Sequence, residues 1–195
     1  MSFMKDMNII LPSPGQCLKL LQQHNVPEHV QEHSCCVALV TSNIASELAK
    51  KGVAINKDLV LAASLLHDIA KIECLNNGRD HCAEGAKLLS RLGLFDIADI
   101  VRQHVKLDKI CMATNLPAML VNYSDKRVKH NEIVTLEERF NDIKERYVKT
   151  EKDLERIKRL YMQTKEVEDL LFKALDSNPD DILFLEGQFL DSCSE

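Results

Sequence analysis

His67 and Asp68 stand side by side at the end of the apolar run Leu59 to Leu66 (LVLAASLL), with Lys71 three residues beyond Asp68. An imidazole and a carboxylate placed where a core helix should stay apolar need a partner, because an ionised carboxylate buried without compensation costs several kcal/mol. A divalent cation satisfies nitrogen and oxygen donors together. The pair therefore reads first as metal ligands. A blander alternative sets His67 at a helix C-terminus, favoured by the helix dipole, and Asp68 in a surface ion pair with Lys71. The apolar run before them argues against it.

The elements that must position such a pair read as helices. Three- and four-residue apolar steps recur throughout, and no segment sustains the period-two alternation of a half-buried strand, so the expected fold class is all-α. Ser13-Pro14 predicts an N-cap and first helical residue for a helix to about His24. A second helix is expected from Glu28 to Lys51, stopping at Gly52. His33, Val37, Val40, Ile44 and Leu48 share its core-facing stripe. Asn56 can cap the helix that carries Leu59 to Leu66. Asn76-Asn77-Gly78 reads as a turn, Asp80 as the cap of a helix from His81 to Gly93, and Phe95 as the start of one ending near His104. Residues 106 to 115 read as a loop before a helix from Leu116-Pro117, in which Asp125 follows the apolar Met119, Leu120 and Tyr123. Thr135-Leu-Glu-Glu138 has capping-box spacing, and a long amphipathic helix follows from Asp153 to Leu175, closed by Asn178-Pro179. Its apolar seam is too irregular for a coiled coil.

Composition restricts the classes of function. The chain has 195 residues, 45% hydrophobic and 28% charged, enough to bury a sizeable core. Its net charge of −5 lies in the tail: residues 151 to 195 carry 6 basic and 12 acidic side chains, against 19 and 18 before them. Nothing resembles the basic footprint of a nucleic-acid binder. No uncharged apolar run approaches the roughly 18 residues that span a bilayer, and the N-terminus (MSFMKDMNIILPSP) has an acidic residue and too short an apolar stretch for a signal peptide. The cytosol is the default location. Seven cysteines without a C-x-x-C suggest neither a disulfide framework nor a thiolate zinc site; Cys35 and Cys36 read as packing residues. His24 and His130 read as surface residues, and His29, four before His33, as an exposed helix start.

In chain order, His33, His67-Asp68, His81, His104 and Asp125 interrupt or end helices, one set from each of five segments that can converge on one point. The spacing resembles the HD-domain superfamily of metal-dependent phosphohydrolases, whose pattern H, HD, D is matched by His33, His67, Asp68 and Asp125, over roughly residues 28 to 130. The resemblance implies an HD-domain helical bundle over residues 13 to 130. An additional C-terminal amphipathic helical segment, residues 131 to 195, would pack on the domain or on a partner subunit, and a homodimer is one form of that. His81 and His104 match the positions with which the dinuclear branch holds a second metal, with Asp68 bridging. Within that branch the chain looks most like small bacterial HD proteins that cleave dinucleoside polyphosphates such as diadenosine tetraphosphate. It lacks the HHExxxxGxGYP stretch of cyclic-di-GMP phosphodiesterases: after His104 the sequence reads VKLDKICMATNL.

Imidazoles and carboxylates suit iron, manganese, cobalt, nickel or zinc. The resemblance narrows one or two ions to iron, manganese or zinc. Such an ion activates water for attack on a phosphoester or phosphoanhydride of a nucleotide or similar small phosphate compound. Asp68 and Lys71 are the expected catalytic residues, Lys71 projecting on the same side of its helix as the cluster. Arg79, Lys126 and Arg127 are expected to add positive charge for substrate. Two other functions remain open: a mixed-valent di-iron oxygenase, which uses the same ligand arrangement, and a non-catalytic nucleotide-binding signalling module. Oxygen dependence separates the first, and binding without turnover the second.

Overall fold

In the computed structural model the chain is described over residues 11–75 and 77–184, with Leu183 and Phe184 as backbone only. Asn76 of the expected turn, the N-terminal ten residues and residues 185 to 195 of the C-terminal segment lie outside the described residues. The fold is all-α apart from one two-stranded hairpin. The helices are α1 (Pro14–Gln23), α2 (Glu28–Lys50), α3 (Lys57–Leu66), α4 (Lys71–Leu75), α5 (His81–Arg91), α6 (Phe95–Arg102), α7 (Met112–Lys126), α8 (Leu136–Tyr147) and α9 (Glu151–Leu175). A 3-10 turn, Pro179–Phe184, follows α9.

Local chemistry sets the boundaries. Ser13 and Gln16 form a capping box at α1, and Thr135 with Glu138 does the same at α8. A third box, Thr150 with Asp153, starts α9 two residues earlier than its apolar pattern suggests. Asn56 accepts from the Leu59 amide at α3, and Asp80 from the Cys82 and Ala83 amides at α5. Gly52, at φ +82°, turns the chain out of α2. α7 begins four residues before Leu116, but Asn115 breaks it, so the regular helix starts where Pro117 fits a first turn.

Two short elements are additions to the sequence reading. Between Leu66 and Lys71 the chain makes tight turns, the Ile69 amide donating to Leu66 O and the Lys71 amide to Asp68 O, and α4 leaves from them. Val128–Lys129 pairs antiparallel with Glu132–Ile133, and His130 takes φ +55° in the connection. Strands of two residues leave no alternation to read.

α2 runs through the middle, with α3 and α7 against it, the α5–α6 hairpin beyond α3, and α9 laid over α7. Val37, Ile44, Leu48, Leu65, Leu66, Met119, Leu120 and Leu171 form one continuous core across these helices. Gly85 lets α5 approach closely: a Cβ there would stand 3.3 Å from Val101 and 3.6 Å from Ile69. That contact seats the start of α5 against the turn after α3 and against α6. Among the described residues, no helix is long and apolar enough to cross a membrane.

Candidate metal centre

His33 sits on the core face of α2, His67 and Asp68 in the turn that ends α3, His81 at the first position of α5, His104 just beyond α6 and Asp125 near the end of α7. All six converge, and except for His81 all are buried. Three of the histidines share one device. His33, His67 and His104 each set Nδ1 against a backbone carbonyl: His130 O at 2.6 Å, Ser64 O at 2.7 Å and Val101 O at 2.6 Å. A carbonyl only accepts, so Nδ1 carries a proton and donates it. Nε2 of the neutral ring is then left with its lone pair facing inward, the tautomer that a metal ligand requires. The hairpin has a role here, because its left-handed His130 supplies the carbonyl that orients His33.

The inward atoms fall into two groups. In one, Asp125 Oδ1 lies 3.1 Å from His33 Nε2 and 3.7 Å from His67 Nε2, and Asp68 Oδ2 lies 3.3 Å from His67 Nε2. In the other, His81 Nε2 and His104 Nε2 are 3.1 Å apart, and Asp68 Oδ1 lies 3.6 Å from the first and 3.5 Å from the second. Asp68 thus turns one oxygen to each group. His67 Nε2 and Asp68 Oδ1 are buried without a hydrogen-bond partner among the described residues. Lone pairs converging at these distances, with two of their atoms unpartnered, are a cost that a cation removes. The residues therefore fit a divalent metal, and two groups of donors can hold one: His33, His67 and Asp68, and His81, Cys82 and His104.

Electrostatics keep both carboxylates and His81 in ligand form, while His104 is drawn the other way. Burial pushes the Asp68 carboxyl upward, but His67 and Lys71 outweigh it and hold the pKa well below the usual carboxylate range. Burial opposes ionisation of Asp125 as well, and Lys126 and His33 reverse it in the same sense. At His81 burial lowers the pKa, favouring the neutral ring. At His104 burial also works downward, yet Asp68 outweighs it and raises the pKa: negative charge at Oδ1 calls for positive charge beside Nε2. Lys71 follows the same balance, desolvation lowering and the two aspartates raising its pKa, so it remains an ammonium.

A cavity of about 250 Å³ opens over the cluster. Its floor is Asp68, Lys71, His81, His104, Asp125 and Lys126. Its wall is Arg139, Phe140, Ile143 and Tyr147 from α8, with Arg156, Ile157 and Leu160 from α9. Of the cations expected near substrate, Lys71 lies at the floor, 2.6 Å from Asp68 Oδ2 and partly open to solvent. Lys126 is there too, but its Nζ is buried between Asp125 Oδ2 at 2.5 Å and His104 O at 3.2 Å, where it positions ligands.

The remaining two cations stand elsewhere. Arg127, next in sequence to Lys126, points into the core instead, toward Tyr123 OH, Glu168, Val134 O and Pro179 O. Arg79 lies on the surface between Glu73 and Glu84 and does not line the cavity. Sequence reasoning missed Arg139 and Arg156, which looked like solvated charges on amphipathic helices, and Cys82, whose one signal was adjacency to His81.

A helical bundle that folds a buried histidine–carboxylate cluster under a half-open cavity defines a class of protein able to hold divalent metal beside a small ligand. The HD domain family model matches residues 30–177, most of the chain, and the chain belongs to the HD-domain family, whose members are generally metal-dependent hydrolases. The matched residues include α8 and α9. Comparisons with curated proteins and with solved structures gave no match.

Proposed function

We propose that this protein is a cytosolic phosphohydrolase with two metal positions that share Asp68, acting on a nucleotide or similar small phosphate compound. His33, His67, Asp68 and Asp125 would hold the first ion, and Asp68, His81 and His104 the second, with iron, manganese or zinc as the candidates. The observation that carries this reading is the split of Asp68: Oδ2 belongs to one donor group, and the unpartnered Oδ1 to the other. A bound divalent ion lowers the pKa of coordinated water toward neutrality and screens charge on phosphoryl oxygens.

The chain's own groups supply the rest. Lys71 is an ammonium at the cavity floor, placed to neutralise a phosphoryl oxygen or to give a proton to the leaving-group oxygen. Arg139 donates to Asp142 through Nη1 at 3.0 Å, while its buried Nε–H has no partner among the described residues, so it holds a spare donor for phosphate. Phe140, Ile143, Tyr147, Ile157 and Leu160 form an apolar wall suited to the uncharged part of a substrate such as a nucleobase, and keep bulk water from the site. Dinucleoside polyphosphates are the first substrates to test. A half-open cavity of about 250 Å³ suits one nucleotide end of such a molecule better than a long polynucleotide.

The test is a screen of nucleotides and phosphate esters with metal-stripped protein resupplied with manganese, iron(II) or zinc, under air and under nitrogen. Metal-dependent release of phosphate or nucleotide in both atmospheres is expected. Turnover that needs oxygen would move the protein to the oxygenase reading, and tight nucleotide binding without turnover under every metal to the signalling one.

A further inference from the structure

The two donor groups differ in one atom type. Cys82 Sγ lies 3.8 Å from His81 Nε2 and 3.9 Å from His104 Nε2, buried in the second group, whereas the first group contains nitrogen and oxygen alone. Successive residues of a helix diverge by about 100°. Here the long arm of His81 and the short arm of Cys82 nevertheless approach the same atom, His104 Nε2, from two sides. Asp80 accepts from the Cys82 and Ala83 amides, and the close approach at Gly85 seats the helix start.

The distances suit coordination. Metal–nitrogen bonds near 2.0–2.1 Å and metal–sulfur bonds near 2.3 Å give tetrahedral edges of about 3.3–3.4 Å between nitrogens and about 3.5–3.6 Å between nitrogen and sulfur. The edges observed are 3.1 Å for the nitrogens, 3.8 and 3.9 Å to sulfur, and 3.5 and 3.6 Å to the Asp68 oxygen. Each of these five is within a few tenths of an ångström of what one small ion needs, and His81, Cys82 and His104 form one donor group with all donor atoms within 4.8 Å of one another. Asp68 Oδ1, buried and without a hydrogen-bond partner among the described residues, supplies the independent sign that the space is built for a cation.

We infer that the second metal position is a mixed site of His81, Cys82, His104 and Asp68, in which the Cys82 thiolate is a ligand. This rests on the two-position reading above and specifies it. Binding forms a metal–sulfur bond, displaces a water from the ion and releases the thiol proton to solvent, with no change of oxidation state. The consequence is selectivity by position. A thiolate favours zinc, iron(II) or cobalt(II) over manganese or magnesium. The nitrogen and oxygen donors of the first group make no such distinction.

Cobalt(II) titration of the metal-stripped full chain tests this, comparing wild type with Cys82→Ser, and with Cys111→Ser as a control outside the cavity lining. The wild type should bind two equivalents, the second bringing near-ultraviolet thiolate-to-cobalt absorption. Cys82→Ser should lose that absorption, keep the first equivalent and bind the second at least roughly 10–100-fold more weakly, the range seen when even an outer-shell partner is removed. Cys111→Ser should match wild type. Two equivalents with identical near-ultraviolet spectra in wild type and Cys82→Ser would overturn the thiolate ligand while leaving two positions standing. A single equivalent in wild type would overturn both. Should Cys82→Ser fail to fold, zinc-edge X-ray absorption of the two-zinc wild type decides: a sulfur scatterer near 2.3 Å supports the assignment, and nitrogen and oxygen alone reject it.

Discussion

The two halves of the centre are built differently, although Asp68 belongs to both. His33, His67 and Asp125 stand on the inner faces or ends of the helices that make the core, and carbonyls fix the ring orientation of both histidines. His81, by contrast, opens α5 just after a surface turn. Its side chain is 28% exposed, and no carbonyl holds its Nδ1 among the described residues. The first half is organised before any ion arrives, since moving its donors means moving the core. The second has the buried, carbonyl-held His104 as well, but takes His81 from one helix start, and so should bind and release its ion more freely. On the two-position proposal, the first ion would be kept as part of the structure and the second exchanged.

Breaking the shared member should have the largest effect. Asp68→Asn keeps the shape but removes the charge from both positions at once, so turnover should fall by well over the roughly 100-fold that loss of an outer-shell partner costs, and both ions should weaken. Metal-to-protein stoichiometry by mass spectrometry alongside turnover checks this; a variant that keeps both ions and full activity would remove the bridge from the argument. The halves are separated next by His33→Ala and His81→Ala. His33→Ala should lose the first ion and its share of stability, which for a ligand held at 100 times its dissociation constant is about 2.7 kcal/mol. That corresponds to about 5–10 °C of melting temperature for a chain of this size. His81→Ala should lose the second ion with little change in melting. Equal shifts in the two variants, read by differential scanning calorimetry with and without metal, would show that the halves are not graded in this way.

How much of this comparison the sequence reveals follows from the same difference. His33 and Asp125 are legible because helical periodicity places each on a face that must be buried, and His67-Asp68 because an apolar run leads into them. His81 and His104, at helix ends, have no such periodicity behind them, and the family resemblance carried them. The cavity wall was hidden for another reason: Phe140, Ile143, Ile157 and Leu160 are plainly apolar faces of amphipathic helices, but periodicity says only that such a face is covered, not that part of it faces a cavity. For that reason the C-terminal segment looked like an appendage, whereas α8 and α9 line the site. Lys126 and Arg127 show the limit most sharply. They are adjacent cations at the end of α7, and about 100° of rotation sends one to the ligands and the other into the core beside Tyr123 and Glu168.

That pair predicts a contrast that falls on stability and leaves the metal centre untouched. Arg127 is fully buried, bonded to Tyr123 OH at 2.6 Å and to Glu168 at 3.3 Å, and Tyr123 also donates to Glu168 at 2.7 Å. Arg127→Met leaves the Glu168 carboxylate buried with its tyrosine and Lys165 alone. The cost should be about 3–5 kcal/mol of unfolding free energy, read by denaturant titration, with metal content and KM unchanged in the folded fraction. A raised KM at unchanged stability would put Arg127 back among the substrate cations.

The smallest effect belongs to Arg79, whose neighbour in space is solvent. It pairs with Glu73 at 3.3 Å and Glu84 at 3.4 Å, and its side chain is about half exposed. Long side chains in water lose in ordering most of what such pairs gain, so Arg79→Ala should change stability by no more than about 0.5 kcal/mol. The informative measurement is KM, because the residue sits two positions before His81, beside the looser half of the centre. An unchanged KM would confine substrate recognition to the cavity floor and the α8–α9 wall. A rise reversed by Arg79→Lys would mean that the segment before α5 closes over bound phosphate, and that the second half gains from substrate the order that the first half has from the core.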